Sequence, residues 1–357
     1  MPELRRTIGV AVDLAGCPNR CRHCYLGVPP NLHLSPDVLR EVADAFWGWK
    51  RPGEGEPYFE QVYVSSSYRE PDFSDDYRRL HELEQELSRA EPRRYEVLSI
   101  WRLAREPGYA AWAKAVGPST CQISLFGLEG TTDFFVRREG AFRDALTATE
   151  RLLDAGIVPR WQLFLTKPGM PQLPALMDLI ADLRLRERIA YLGHEFVVFC
   201  HPPGISGEGW NMQEFAITEE DLSGIPPGLM AATEKHFGSR PDWITETAAL
   251  ERLEAGETVA PYVPETAWFF VDGSLDVYPN YGSEIAPEWR LGSLRRDGLD
   301  TILGTFERDG TPGLQARFHR SYLELGRHFA DAASPHVQSI GDCVDMWIHR
   351  CTASHRE

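Results

Sequence analysis

From Ile8 to Cys200, short apolar runs alternate with amphipathic stretches, and each kind of stretch keeps its own period. The runs Ile8–Leu14, Gln61–Ser65, Tyr95–Ile100, Cys121–Phe126, Pro159–Thr166 and Glu195–Cys200 are rich in β-branched and aromatic residues and read as six strands. Between them the apolar positions repeat at helical spacing. Val38, Leu39, Val42 and Phe46 follow Ser35-Pro36, an N-cap with proline at the first helical position. Tyr77, Leu80, Leu83 and Leu87 mark one face of a helix over 73–89, and further helices are predicted over 109–116, 141–155 (closed by Gly156) and 173–185. Strands that alternate with helices pair in parallel through right-handed crossovers, with the helices covering the outside. Six such units predict an α/β chain built as a partial (β/α)6, TIM-like barrel, with its functional side chains at the C-terminal ends of the strands.

Beyond Cys200 the pattern changes. Pro202-Pro203-Gly204 and residues 224–227 interrupt it, a helical stretch covers 219–236, and Trp268–Val271 and Ser274–Tyr278 flank Asp272-Gly273 as the arms of a hairpin. The expected organisation is a barrel over 1–215, a helical connection over 216–265 and a smaller C-terminal α+β domain over 266–357.

Directly after the first strand, Cys17-Pro18-Asn19-Arg20-Cys21-Arg22-His23-Cys24-Tyr25 carries three cysteines at the spacing C-x3-C-x2-C. Three thiolates on one loop can hold three irons of a [4Fe-4S] cubane and leave the fourth iron with an open coordination position. Three cysteines with His23 or His33 would also compose a structural zinc set, but zinc ligands usually come in pairs from two knuckles. The stretch resembles the signature of the radical S-adenosylmethionine (radical SAM) superfamily residue for residue, including an aromatic ring, His23, before the last cysteine. The resemblance implies a cluster held by Cys17, Cys21 and Cys24 whose open iron chelates the amino and carboxylate groups of SAM. Reductive cleavage of SAM then yields a 5'-deoxyadenosyl radical that removes a hydrogen atom from the substrate.

Other segments extend the resemblance. Glu70-Pro71, after the second strand, matches the end of the family's G-G-E-P motif, which implies that Glu70 binds the amino group of SAM; Tyr68 and Arg69 replace the two glycines. Ser124-Leu125-Phe126-Gly127, with Asp133 and Gly140-Ala141-Phe142, resembles the family's fourth-strand segment and would set Ser124 against SAM. The arginine expected to clamp the SAM carboxylate falls at Val136, so Arg138, or else Arg137, supplies it; a solvated loop arginine is the other reading. Cys200, closing the sixth strand, is expected at the barrel rim, where its weak S–H bond could return a hydrogen atom to a substrate radical; a free cysteine is also among the most commonly buried residues. Val271 to Asn280, with Arg290-Leu291-Gly292-Ser293-Leu294, resembles the SPASM/twitch hairpin pattern. A cluster cysteine normally follows Tyr-Pro in that pattern, but Asn280 stands there, and Cys343 and Cys351 fit no such spacing. The implied cofactors are one [4Fe-4S] cluster and SAM, on a SPASM-like scaffold without auxiliary clusters.

Composition narrows the partners. A net charge of -16 over 357 residues leaves no extended basic face for nucleic acid. Neither a signal-like N-terminus nor a membrane-spanning apolar run is present, and seven cysteines with three clustered do not suggest a disulfide framework, so a cytoplasmic protein in a reducing compartment is expected. The function implied is hydrogen-atom abstraction, first in peptide (natural-product) maturation and second in dehydrogenation or epimerisation of a sugar-like metabolite, with flavodoxin or ferredoxin as reductant. An iron-sulfur electron carrier or redox sensor is the rival of another class.

Overall fold

A computed structural model describes residues 3–91, 97–281 and 285–353. Strand β1 (Thr7–Val12) runs into the cysteine loop, and α1 (Pro36–Gly48) follows it. As the sequence predicts, Ser35 caps α1, its hydroxyl accepting the Asp37 N–H at 3.2 Å, with Pro36 at the first helical position. Then come β2 (Gln61–Ser65), α2 (Tyr77–Ser88), the short helices α3 (Ile100–Arg105) and α4 (Tyr109–Ala115), β3 (Thr120–Leu125), α5 (Glu129–Val136) and α6 (Ala141–Asp154). β4 (Val158–Phe164), α7 (Leu173–Asp182), α8 (Leu185–Tyr191) and β5 (Val198–His201) complete this half.

Five of the six predicted strands form. The third, expected over 95–100, lies partly outside the described residues; its described part carries no strand pairing, and Ser99 instead caps α3 by accepting the Arg102 N–H. The described end of that run leads into a helix start, an outcome a short apolar run cannot distinguish from a buried strand. The strands form two sheets: in one, β2 and β1 pair in parallel and are extended by three strands from the C-terminal part, and in the other β3, β4 and β5 pair in parallel; among the described residues no ladder joins the two into a closed barrel.

In the second sheet Ser124 lies opposite Gln162, and Leu125, Leu163 and Cys200 share one register line. Alternation then sorts the side chains. Cys121, Ile123, Leu125, Trp161, Leu163 and Cys200 enter the buried layer shared with α6 and α7, while Gln122, Ser124, Gln162 and His201 fall on the opposite face, the barrel lumen.

The C-terminal part contains α9 (Pro227–Phe237), α10 (Glu246–Glu254), the predicted hairpin as β6 (Ala267–Val271) and β7 (Asp276–Pro279), then β8 (Gly292–Ser293), α11 (Gly298–Glu307), α12 (Pro312–His319), α13 (Tyr322–Phe329) and α14 (Ile340–Ala353). β6 pairs in parallel with β1, Val10 opposite Phe269. A Cβ on Gly9 would stand 2.2 Å from the Trp268 ring, so glycine is what allows this approach. Among the described residues of the C-terminal part, Phe269, Phe306 and Trp347 share one cluster with Val10 and Phe46. Fully buried Phe269 alone contributes roughly 1.5–3 kcal/mol through its removal from water.

Buried Glu246 ties α10 to α14. One oxygen accepts from Trp347 Nε1 at 2.8 Å and Asp331 N at 3.1 Å, and both oxygens accept from the Arg350 guanidinium. No helix among the described residues is long and apolar enough to cross a membrane.

Candidate active site

The cysteine loop leaves the C-terminal end of β1 and is fixed by hydrogen bonds on three sides. Asn31 forms a reciprocal pair with Cys17, its Oδ1 accepting the Cys17 N–H at 3.1 Å and its Nδ2 donating to the Cys17 carbonyl at 3.0 Å. Arg22 N donates to the Phe135 carbonyl at 2.8 Å, and Glu208 N to the Cys24 carbonyl at 2.8 Å. Gly207, with φ +57°, lets that last strap pass: a Cβ there would lie 2.6 Å from the Cys24 carbonyl oxygen. Under the loop, His23 packs edge-on against Phe126 with ring centroids 4.7 Å apart and against Phe164 at 4.6 Å. Burial pushes its imidazole down to about 3, so it stays neutral.

The three thiols are free and only partly exposed. Asn19 N–H points at Cys17 Sγ from 3.4 Å, a bond that strengthens with charge on sulfur. Burial raises all three thiols above their usual range, Cys21 to about 12, with Glu70 and the neighbouring thiols adding to it at Cys17 and Cys21. Thiols so placed hold their protons until a cation takes the protons' place, which is the linkage that couples metal binding to deprotonation. Three soft sulfur donors on one loop therefore fit an iron-sulfur cluster. A cavity of about 170 Å³ opens between residues 17–20 and the side formed by Val28, Pro29 and Asn31, with Arg69 at its edge.

Glu70 follows β2 and turns toward the loop, Oε2 standing 4.0 Å from Cys17 Sγ. Its other oxygen accepts the Ser99 hydroxyl at 2.7 Å, and burial pushes the carboxyl up to about 7 against that bond and the field of Arg138. A cation arriving beside Glu70 would favour its carboxylate form. Arg138 reaches the loop as well, Nε donating to Asn19 Oδ1 at 2.6 Å while another nitrogen pairs with Asp144. Arg137, left-handed at φ 55°, turns instead to Glu208 at 3.4 Å. Ser124 lies in the lumen, its hydroxyl donating to Gln162 Oε1 at 3.0 Å.

Cys200 departs from the expectation. Its side chain is fully buried on the outer face of β5, Sγ 3.4 Å from Thr233 Oγ1 of α9, while its neighbour His201 takes the lumen. The two-residue period assigns one of them to each face, and Leu163 and Leu125 beside Cys200 fix the core face. Burial raises the Cys200 thiol to about 11.

Sequence reasoning missed Asp13, Asn31, Arg69, Gln162 and His201. Asp13 had left a signal: a lone acid closing an apolar strand needs a buried partner. That partner is Arg69, which also donates to the Pro29 carbonyl at 2.8 Å and to Asn31 at 3.1 Å. Asn280, at the position of the expected auxiliary cysteine, makes a two-way bond with the Trp268 backbone, and Cys343 and Cys351 are buried in α14.

No protein-family model matches the sequence, and no curated protein matches it. Solved structures do resemble the fold. A tagged form of anSMEcpe with bound AdoMet aligns at TM-score 0.56 and 12% identity over 98% of this chain and 94% of that one. Native anSMEcpe with bound AdoMet and a Cp18Cys peptide aligns at 0.51 and 12% over 98% and 97%. SuiB of Streptococcus suis bound to S-adenosylmethionine aligns at 0.50 and 12% over 94% and 77%. These are radical SAM enzymes, and the chain has their fold.

Proposed function

We propose that the chain is a radical SAM enzyme that holds one [4Fe-4S] cluster on Cys17, Cys21 and Cys24. The observation that carries this reading is the placement of three half-buried thiols on one loop, with the Glu70 carboxyl 4.0 Å from Cys17 Sγ. When bound together, cluster and SAM supply reductive cleavage to a 5'-deoxyadenosyl radical and abstraction of a substrate hydrogen atom. The chain's own residues do the rest. Asn31 and the strap at Glu208 hold the loop in shape; Glu70 would receive the SAM ammonium; Arg138, held over the loop by Asn19, would face its carboxylate; and the seal of His23, Phe126 and Phe164 keeps water from beneath the loop. Exclusion of water matters because the reactive species must meet substrate before solvent.

The substrate is a peptide on the first reading, supported by the likeness to a fold that is solved with a peptide in native anSMEcpe. The second reading, a sugar-like metabolite, draws on the polar lumen, where Gln122, Ser124, Gln162 and His201 form one bonded ladder suited to hydroxyl groups. Flavodoxin or ferredoxin supplies the electron. In the test, anaerobically reconstituted protein carries about four irons and four sulfides per chain and, given dithionite, converts SAM to 5'-deoxyadenosine. A chain with Cys17, Cys21 and Cys24 replaced by alanine does neither. A stable cluster with no SAM cleavage would make the protein an electron carrier or sensor.

A further inference from the structure

One hydrogen-bond relay crosses three strands of the lumen, and its direction is fixed at both ends. Arg160 of β4 can only donate, and Nη2 gives a hydrogen to Gln122 Oε1 at 2.8 Å. Gln122 must therefore present its NH2 to Gln162, whose Oε1 accepts it. The same Oε1 accepts the Ser124 hydroxyl at 3.0 Å. With its oxygen so engaged, Gln162 turns Nε2 to His201 Nε2 at 2.5 Å, which must be the unprotonated ring nitrogen. The imidazole proton sits on Nδ1 and goes to the Pro202 carbonyl at 2.6 Å, a group that only accepts. Flipping either amide alone would set donor against donor.

We propose that Gln162 is a positioning residue: anchored through Gln122 by Arg160, it takes the only proton of the Ser124 hydroxyl and holds His201 as the neutral Nδ1–H imidazole. Ser124 then meets whatever binds in the lumen as an acceptor. On the reading of Ser124 as a SAM contact, which this inference uses, its partner is a ribose hydroxyl or the ammonium and not the carboxylate, which has no proton to give. The rings around His201 agree with a neutral form. It packs on Phe164 and Phe199 with centroids 5.0 and 6.0 Å away, and burial, with His236 of α9 adding to it, disfavours a charged ring.

The test uses the reconstituted full-length chain labelled with 15N-histidine. The His201 signal, identified by its loss in His201→Gln, is expected in the Nδ1–H tautomer and unchanged between pH 6 and 8. Gln162→Glu offers no donor, so His201 Nε2 must take a proton and the ring becomes imidazolium at pH 7. An Nε2–H form or an exchanging mixture in the wild type, or an unchanged tautomer in Gln162→Glu, overturns the proposal. Calorimetry with S-adenosylhomocysteine reads the Ser124 end. Ser124→Ala and Gln162→Leu are each expected to weaken binding about five- to tenfold, and the double variant no more than Ser124→Ala alone, because coupled residues lose one shared interaction. Independent, multiplying losses overturn the link between Gln162 and Ser124. Absence of binding by the wild type would sink the SAM reading, and the tautomer measurement would then decide the relay by itself.

Discussion

Arg69 Nε meets the buried carboxylate of Asp13 at 2.5 Å, with 5% and 2% of the two side chains exposed, on a loop position where the resembling family has glycine. The pair joins the end of β1 to the loop after β2, and the same guanidinium reaches Pro29 and Asn31, the outer lip of the cysteine loop.

Arg69→Ala strands a charge in the interior and is expected to cost about 3 kcal/mol, the lower end of the range for breaking a buried pair. Urea unfolding measures it. Asp13→Asn combined with Arg69→Ala should recover part of the loss, since the uncompensated charge is gone; equal destabilisation by the single and double variants would show that the pair's charge is not what Arg69 supports.

Glu70→Ala removes a half-buried carboxyl 4.0 Å from Cys17 Sγ without touching a thiol. The variant should keep its iron and bind SAM about 1.5–3 kcal/mol more weakly, the range for a lost bond to a charged group. Calorimetry beside iron analysis separates the two effects. Unchanged affinity would reduce Glu70 to the partner of Ser99.

Cys200→Ala should leave SAM cleavage and product identity untouched, because the thiol faces Thr233 and not the lumen. The expected change is a stability loss of about 1 kcal/mol for a small buried group. Its raised pKa of about 11 also predicts no alkylation by iodoacetamide in the folded protein at pH 8. Altered products, or rapid modification, would bring Cys200 back to the chemistry.

Asp342, in the first turn of α14, accepts the Ser339 hydroxyl at 2.6 Å, yet burial raises its carboxyl to about 6, with Asp345 adding to it. The folded state thus binds this proton more tightly than the unfolded chain does. Its contribution to stability is fully present below about pH 4, the unfolded value, falls as pH rises to about 6 and is flat beyond. Asp342→Asn, which can still accept from Ser339, should be more stable than wild type at pH 7 by roughly 1–2 kcal/mol and level with it near pH 4. Chemical denaturation at the two pH values is the measurement; equal stability of both proteins throughout would place the carboxyl in water.

The parts of this molecule legible in the sequence were those set by local rules. The cysteine spacing, the cap at Ser35 and the hairpin at Asp272-Gly273 each need only a few adjacent residues to be read. Orientation on β5 was decided elsewhere: Cys200 and His201 are both plausible rim residues until the register with Leu163 assigns the faces. The relay through Gln162 was invisible for the same reason, since its members become neighbours only when β3, β4 and β5 align. The run at 95–100 carried an ambiguous apolar signal, and in its described part the cap at Ser99 opens a helix.

The pairing of β6 with β1 sets a timetable for maturation. The strand that presents the cysteines leaves the ribosome long before its second neighbour, Ala267–Val271, which is made only after roughly 250 further residues and so, at typical elongation rates, about 12–50 s later. Until then β1 is a sheet edge, apolar and unpaired on the side that Trp268 will later cover at Gly9. The sheet that carries the cysteine loop is therefore finished only late in synthesis, and a nascent chain halted before β6 would hold that loop on an incomplete sheet.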